Sequence, residues 1–229
     1  MFRVQLTVRW RSGLALALIA AAVMACQSVP PAESSAARAS FLNDYARYQE
    51  AADLLQPIIE ATPGVWQVEY EYGRAQLGLG NLDEARRSLE RANARVPTNL
   101  TIIFTLAECY GALGQNARLY ELLRNAGTQL RSSEAWIKLA VAADELGDPD
   151  TALQSINAAI EIDDGFDIRR GTECYWVASQ LEEKYGSSEA SLRRLRQAFG
   201  VNPEDPRVRR ALEEAGMPLD RRTALPPGQ

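Results

Sequence analysis

Trp66 to Asn99 reads WQVEYEYGRAQLGLGNLDEARRSLERANARVPTN. An apolar helical stretch runs up to Gly80, and a second one follows Asn81. Gly80 can end the first helix, because glycine tolerates the left-handed cap conformation. Pro97 ends the second, because it cannot donate a helical hydrogen bond. The same arrangement recurs outward from this stretch. Gly80-Asn81, Gly114-Gln115 and Gly147-Asp148 follow one another at an almost constant interval, and Gly186-Ser187 comes after a slightly longer one. Each glycine is preceded and followed by an apolar helical stretch, and no convincing period-two alternation appears.

The quoted stretch resembles the tetratricopeptide repeat, a helix–turn–helix unit of about 34 residues. Gly73, Ala85, Ala92 and Pro97 stand where that family wants small residues and a proline, and Tyr72, Leu82 and Leu89 fill its bulky positions. Small residues let two helices approach closely, and bulky ones fill the space between pairs. The copy from Leu100 to Ser132 keeps Leu106, Ala107, Tyr110, Gly114 and Ala126. It departs at Leu119 and Arg131, where the pattern wants Ala and Pro, so its helix pair is expected to sit wider. Ser133 to Asp164 keeps Trp136, Leu139, Ala140, Gly147, Ala152 and Ala159. A copy from Thr172 to Asp205 keeps Ser179, Gly186, Ala198 and Pro203, after a connector at 165–171. A weaker first copy begins near Ala32 and carries Ala39, Ala51, Leu55 and Pro63, with Ile58 larger than the expected Ala.

The resemblance implies an all-α fold: a right-handed α-solenoid of about five tetratricopeptide repeats with a C-terminal capping helix. The solenoid with its cap is expected over 39–216. Asp205-Pro206 should open the capping helix, since Asp is a good N-cap and Pro suits the first turn. Residues 217–229 (MPLDRRTALPPGQ) read as a disordered tail.

The N-terminus has a different character. Arg3, Arg9 and Arg11 are the only charges before Gly13–Ala25, which is itself uncharged. As a helix that stretch would rise about 20 Å, short of the roughly 30 Å hydrocarbon core. A basic start, a short apolar run and small residues at its end describe a signal peptide over 1–25. Val23-Met24-Ala25-Cys26 resembles the bacterial lipobox, in which the cysteine thiol receives diacylglycerol and the signal is cut just before it. Ordinary cleavage after Ala25 is the alternative. Gln27 in place of an Asp implies sorting to the outer membrane, facing the periplasm. Residues 26–38 are Pro-, Ser- and Ala-rich and read as the lipidated N-terminus and tether.

Composition narrows the chemistry. The chain has 25 basic and 30 acidic residues and no His. Without His there is no Ser–His–Asp triad, no Cys–His dyad and no His-ligated metal. Three Cys do not make a four-thiolate site, and Cys109 and Cys174 read as small core residues. Adjacent acids such as Asp144-Glu145 diverge on a helix and read as solvated faces. There is no phosphate-binding glycine loop. No catalytic residue, metal ligand or cofactor site is expected, nor is nucleic-acid binding.

The family resemblance carries a groove with it, lined by the first helix of each pair. Its inward positions fall on Tyr70, Arg74, Phe104, Glu108, Ile137, Val141, Trp176 and Gln180, with Ala36, Ser40, Gln67, Thr101, Glu134, Glu173, Asp144, Glu145, Glu183 and Lys184 beside them. Tyr70, Phe104, Ile137 and Trp176 would form an apolar stripe flanked by acids, suited to a peptide or helix with apolar anchors and positive charge. Aromatics there can also pack on neighbouring repeats. The layout resembles bacterial tetratricopeptide-repeat lipoproteins that assist envelope machines of the pilus, secretion or outer-membrane assembly type. It implies a non-enzymatic scaffold. The alternative is a periplasmic adaptor that recruits or regulates a cell-wall enzyme.

Overall fold

The computed structural model describes residues 31–163 and 167–227. The expected signal peptide, the lipobox Val23-Met24-Ala25, Cys26 and the start of the tether lie outside these residues, as does part of the connector at 165–171. Among the described residues all regular structure is helical: α1 Ala32–Asp44, α2 Tyr48–Ala61, α3 Trp66–Gly78, α4 Leu82–Arg95, α5 Leu100–Ala112, α6 Asn116–Gln129, α7 Ser133–Glu145, α8 Pro149–Ile162, α9 Ile168–Tyr185, α10 Ser188–Val201 and α11 Pro206–Glu214. Successive helices pack as antiparallel pairs, and first helices of neighbouring pairs also meet, α1 with α3, α3 with α5 and α7 with α9.

The turn inside each pair follows from one backbone device. Gly80, Gly114 and Gly147 have φ of 79°, 67° and 73°. The residue after each donates its N–H back to the preceding helix: Asn81 to Gln76 O, Gln115 to Tyr110 O and Asp148 to Ala143 O, at 2.8–2.9 Å. That closes orphan carbonyls and reverses the chain. In the first pair Ala46 does the same work at φ 57°, with Arg47 N–H on Leu42 O at 2.8 Å. It lies one repeat period before Gly80, so the period is kept while the residue type is lost. A side chain in this region costs about 1 kcal/mol or more. Ala46→Gly should therefore raise the unfolding free energy by up to about 1 kcal/mol, read from urea denaturation. Gly186 differs: its φ is -110°, so the last pair turns without the left-handed cap.

Packing follows the small residues. Ala85 and Ala92 of α4, Ala152 and Ala159 of α8, and Ala198 of α10 are fully buried, and these helices press closely on their partners. A Cβ on Gly73 would fall 2.7 Å from Leu89 Cγ, which shows how near α3 and α4 come. The pairs α1–α2 and α5–α6 meet along fewer residues. These are the pairs in which Ile58 and Leu119 stand in place of Ala. The apolar core is correspondingly divided into four clusters strung along the array.

Two boundaries differ from the compositional reading. The stretch 26–38 is not tether throughout: it is helical from Ala32, and Ser35, Ala36 and Ala39 are buried. Tertiary packing of that face favours helix over the extended form its composition suggests. Residues 217–225 are not a free tail. Leu225 N–H bonds Arg196 O at 3.0 Å, and Arg196 Nε bonds Thr223 O at 2.9 Å. A Cβ on Gly200 would overlap the Leu225 carbonyl, so glycine there admits the returning chain. The capping helix is as read: Asp205 accepts from Arg207 N and Val208 N, and Gly216 ends it at φ 70°.

Candidate groove

The first helix of each pair contributes to one face. Tyr70 is half-buried on α3, and its hydroxyl lies 3.4 Å from Thr105 Oγ1 of α5. Burial pushes its phenol upward from the ordinary range. Arg74, one turn on, reaches Asp44 of α1 at 2.8 Å and Glu71 at 3.0 Å, and its guanidinium sits 5.8 Å from the Tyr70 ring centre. Glu71 is itself buried and accepts from Asn43 at 2.9 Å. Phe104 on α5 has the Lys138 ammonium 4.9 Å from its ring centre. Trp176 on α9 lies under Arg207 of α11 at 5.2 Å, and Arg207 is held by Glu173 at 2.9 Å.

The apolar stripe is therefore interrupted. Each of its three aromatics already faces a cation of this chain, attracted by the negative ring face. Several flanking acids are also engaged. Lys184 lies 2.7 Å from Asp144, and its hydrogen bond holds that carboxyl below the usual range. Sequence position gives little sign of these partners, because most arrive from another helix.

Most of the predicted residues gather in two hollows, whereas Arg74 lines neither and is held by Asp44 and Glu71. The first hollow, about 590 Å³, lies across α1, α3 and α5 and includes Tyr70, Gln67, Thr101, Ala36 and Ser40. Glu33, Trp66 and Asn99 also line it, from the N-terminal ends of their helices. The second, about 600 Å³, brings together Phe104, Glu108, Ile137 and Val141. Its other walls are Leu119 and Leu123 of α6, with Lys138 and Glu145 of α7. Leu119 and Leu123 belong to a second helix, which groove positions carried over from the family do not include. Val141 is 40% exposed, while Ile137 is nearly buried. Trp176 and Gln180 line neither hollow; Trp176 packs into the cluster under α11.

The two described cysteines sit in the packed interior, fully buried and free. Burial pushes the Cys109 thiol up to about 11 and the Cys174 thiol up to about 12. Both stay protonated at neutral pH and act as small apolar residues. Among the described residues no group of three His, Cys, Asp or Glu is placed to hold a metal ion.

The tetratricopeptide repeat family profile matches residues 43–97 and again 133–166. No curated protein matches the chain. Among solved structures, MamA is similar with 17% identity and a TM-score of 0.57, over 72% of this chain and 95% of its own. YrrB, a tetratricopeptide-repeat protein with an unusual peptide-binding site, has 18% identity and a TM-score of 0.55, over 80% and 92%. A thermophilic repeat protein of Thermus thermophilus has 21% identity and a TM-score of 0.53, over 81% and 98%. These likenesses concern the fold. The chain carries tetratricopeptide repeats at 43–97 and 133–166, and its described helices pair and stack as in solenoids of that repeat.

Proposed function

We propose that this protein is a non-enzymatic scaffold that docks a protein or peptide partner in the face formed by α1, α3, α5 and α7. The observation that carries this reading is the pair of hollows on that face, each with apolar walls and acids beside them. Their volumes fall in the range of sites that seat ligand groups.

A lipid on Cys26 would tether the scaffold to the periplasmic face of a bacterial outer membrane. The lipobox-like sequence before Cys26, Gln27 after it, and an acidic body support that placement. There the scaffold would assist an envelope machine of the pilus, secretion or outer-membrane assembly type.

Tyr70→Ala combined with Val141→Glu tests the docking face. Both residues lie on the hollows, and neither sits at the centre of a core cluster. Partner capture from solubilised envelopes should fall at least tenfold while helicity by circular dichroism stays unchanged. Undiminished capture would place docking on another surface.

A further inference from the structure

Resting on the docking reading above, we propose that the hollow between α5, α6 and α7 is the pocket that selects the partner. It takes one bulky aliphatic or aromatic side chain from a segment carrying Lys or Arg within a turn of that residue. The pocket exists because of a departure from the repeat pattern. Where the pattern wants Ala, α6 carries Leu119, and α5 and α6 meet along fewer residues than α3–α4, α7–α8 or α9–α10. The looser pairing lets the largely buried Leu119 and Leu123 of the second helix line the bottom of the hollow. Gly111 faces this gap: a Cβ there would sit 3.2 Å from Leu119 Cδ1.

The walls fix the apolar part of the occupant. Phe104, Ile137 and Val141 surround the floor, and burying a side chain among them removes apolar surface from water on both partners. The rim fixes the charge. Glu108 and Glu145 stand on it, and among the described residues neither makes a salt bridge. Elsewhere on this face, Asp44 and Glu71 are neutralised by Arg74, Asp144 by Lys184 and Glu173 by Arg207. Lys138 is turned onto the Phe104 ring. The pocket thus presents an apolar floor with two carboxylates outside any salt bridge and one lysine, a net negative rim that complements a cationic apolar segment and disfavours an acidic one.

Panning the full chain, purified in detergent, against a random linear peptide library tests this. The expected result is enrichment of peptides with Leu, Ile, Phe or Trp next to Lys or Arg. A synthetic consensus peptide should then bind Leu119→Ala and Val141→Glu at least tenfold more weakly than the unmodified chain. Val141→Glu serves as the second variant because its site is exposed and cannot act by collapsing the core. Glu108→Gln with Glu145→Gln should weaken binding and flatten its salt dependence. Enriched peptides that are acidic, or whose affinity ignores these substitutions while still responding to Tyr70→Ala, would overturn the pocket and leave the docking reading standing. Absence of any enrichment would overturn both. Self-association abolished by Val141→Glu would give the pocket to a second copy of the chain and overturn the proposal.

Discussion

Trp136→Ala should lower the unfolding free energy by about 3 kcal/mol, the low end of the range for a large aromatic, because Trp136 is partly buried. Trp136 lies on α7 and packs against two clusters at once, the one around Leu106 and Leu139 and the one around Ile156 and Cys174. Its indole lies directly over Gly127 of α6, where an added Cβ would come within 2.6 Å of the ring. In a solenoid each repeat touches only its neighbours, so cooperativity depends on each seam in turn. Removing Trp136 weakens the seam between α6 and α7. Unfolding should separate into two steps, with the C-terminal and N-terminal halves no longer melting together. With Trp10 replaced by Phe, Trp66 and Trp176 report on the two halves, and each can be isolated by replacing the other with Phe. One shared transition with a loss below about 1 kcal/mol would show that other contacts carry the seam.

With residues 1–25 replaced by an ordinary cleavable secretory signal, Cys26→Ala should move the protein from the membrane fraction to the soluble fraction almost completely. Among the described residues no helix is long and apolar enough to cross a membrane. After loss of residues 1–25 the chain would hold 22 basic and 30 acidic residues, a net charge of -8. An acidic body gains nothing from anionic lipid headgroups. Attachment would then rest on acyl chains, each worth about 0.8 kcal/mol per buried CH₂, with two or more needed for a stable anchor. Fractionation with and without the substitution reads the outcome. Retention of the Cys26→Ala variant in washed membranes would show that something other than the lipid holds the protein.

The repeat was legible because it is written in residues with narrow tolerances. Gly80, Gly114 and Gly147 mark turns where the backbone enters the left-handed region, and Ala85, Ala92, Ala152 and Ala159 mark seams that exclude larger side chains. Leu119 stood out against that pattern, and the wider α5–α6 pair follows from it. Ala46 did not stand out, because a non-glycine in the left-handed region is held there by its surroundings and leaves no local signature.

Of the expected groove positions, some meet in one hollow, and their chemistry differs from the expected stripe. Phe104, Glu108, Ile137 and Val141 do converge. The cations over Tyr70, Phe104 and Trp176 come from Arg74, Lys138 and Arg207, two of them on other helices, so the stripe looked more apolar than it is. The returning chain at 217–225 was hidden for a related reason. Its Pro- and Arg-rich composition predicts no helix, and its order comes from backbone bonds to Arg196 far away in sequence.

The docking face is tested most directly by placing a photo-crosslinking residue in turn at Val141, in the groove, and at Asn125, on a separate hollow of α6 beside Glu90 and Tyr110. In intact cells, crosslinks to one or a few defined protein partners should form from position 141 and not from position 125. Partner crosslinks from 125 with none from 141 would contradict the assignment of the groove.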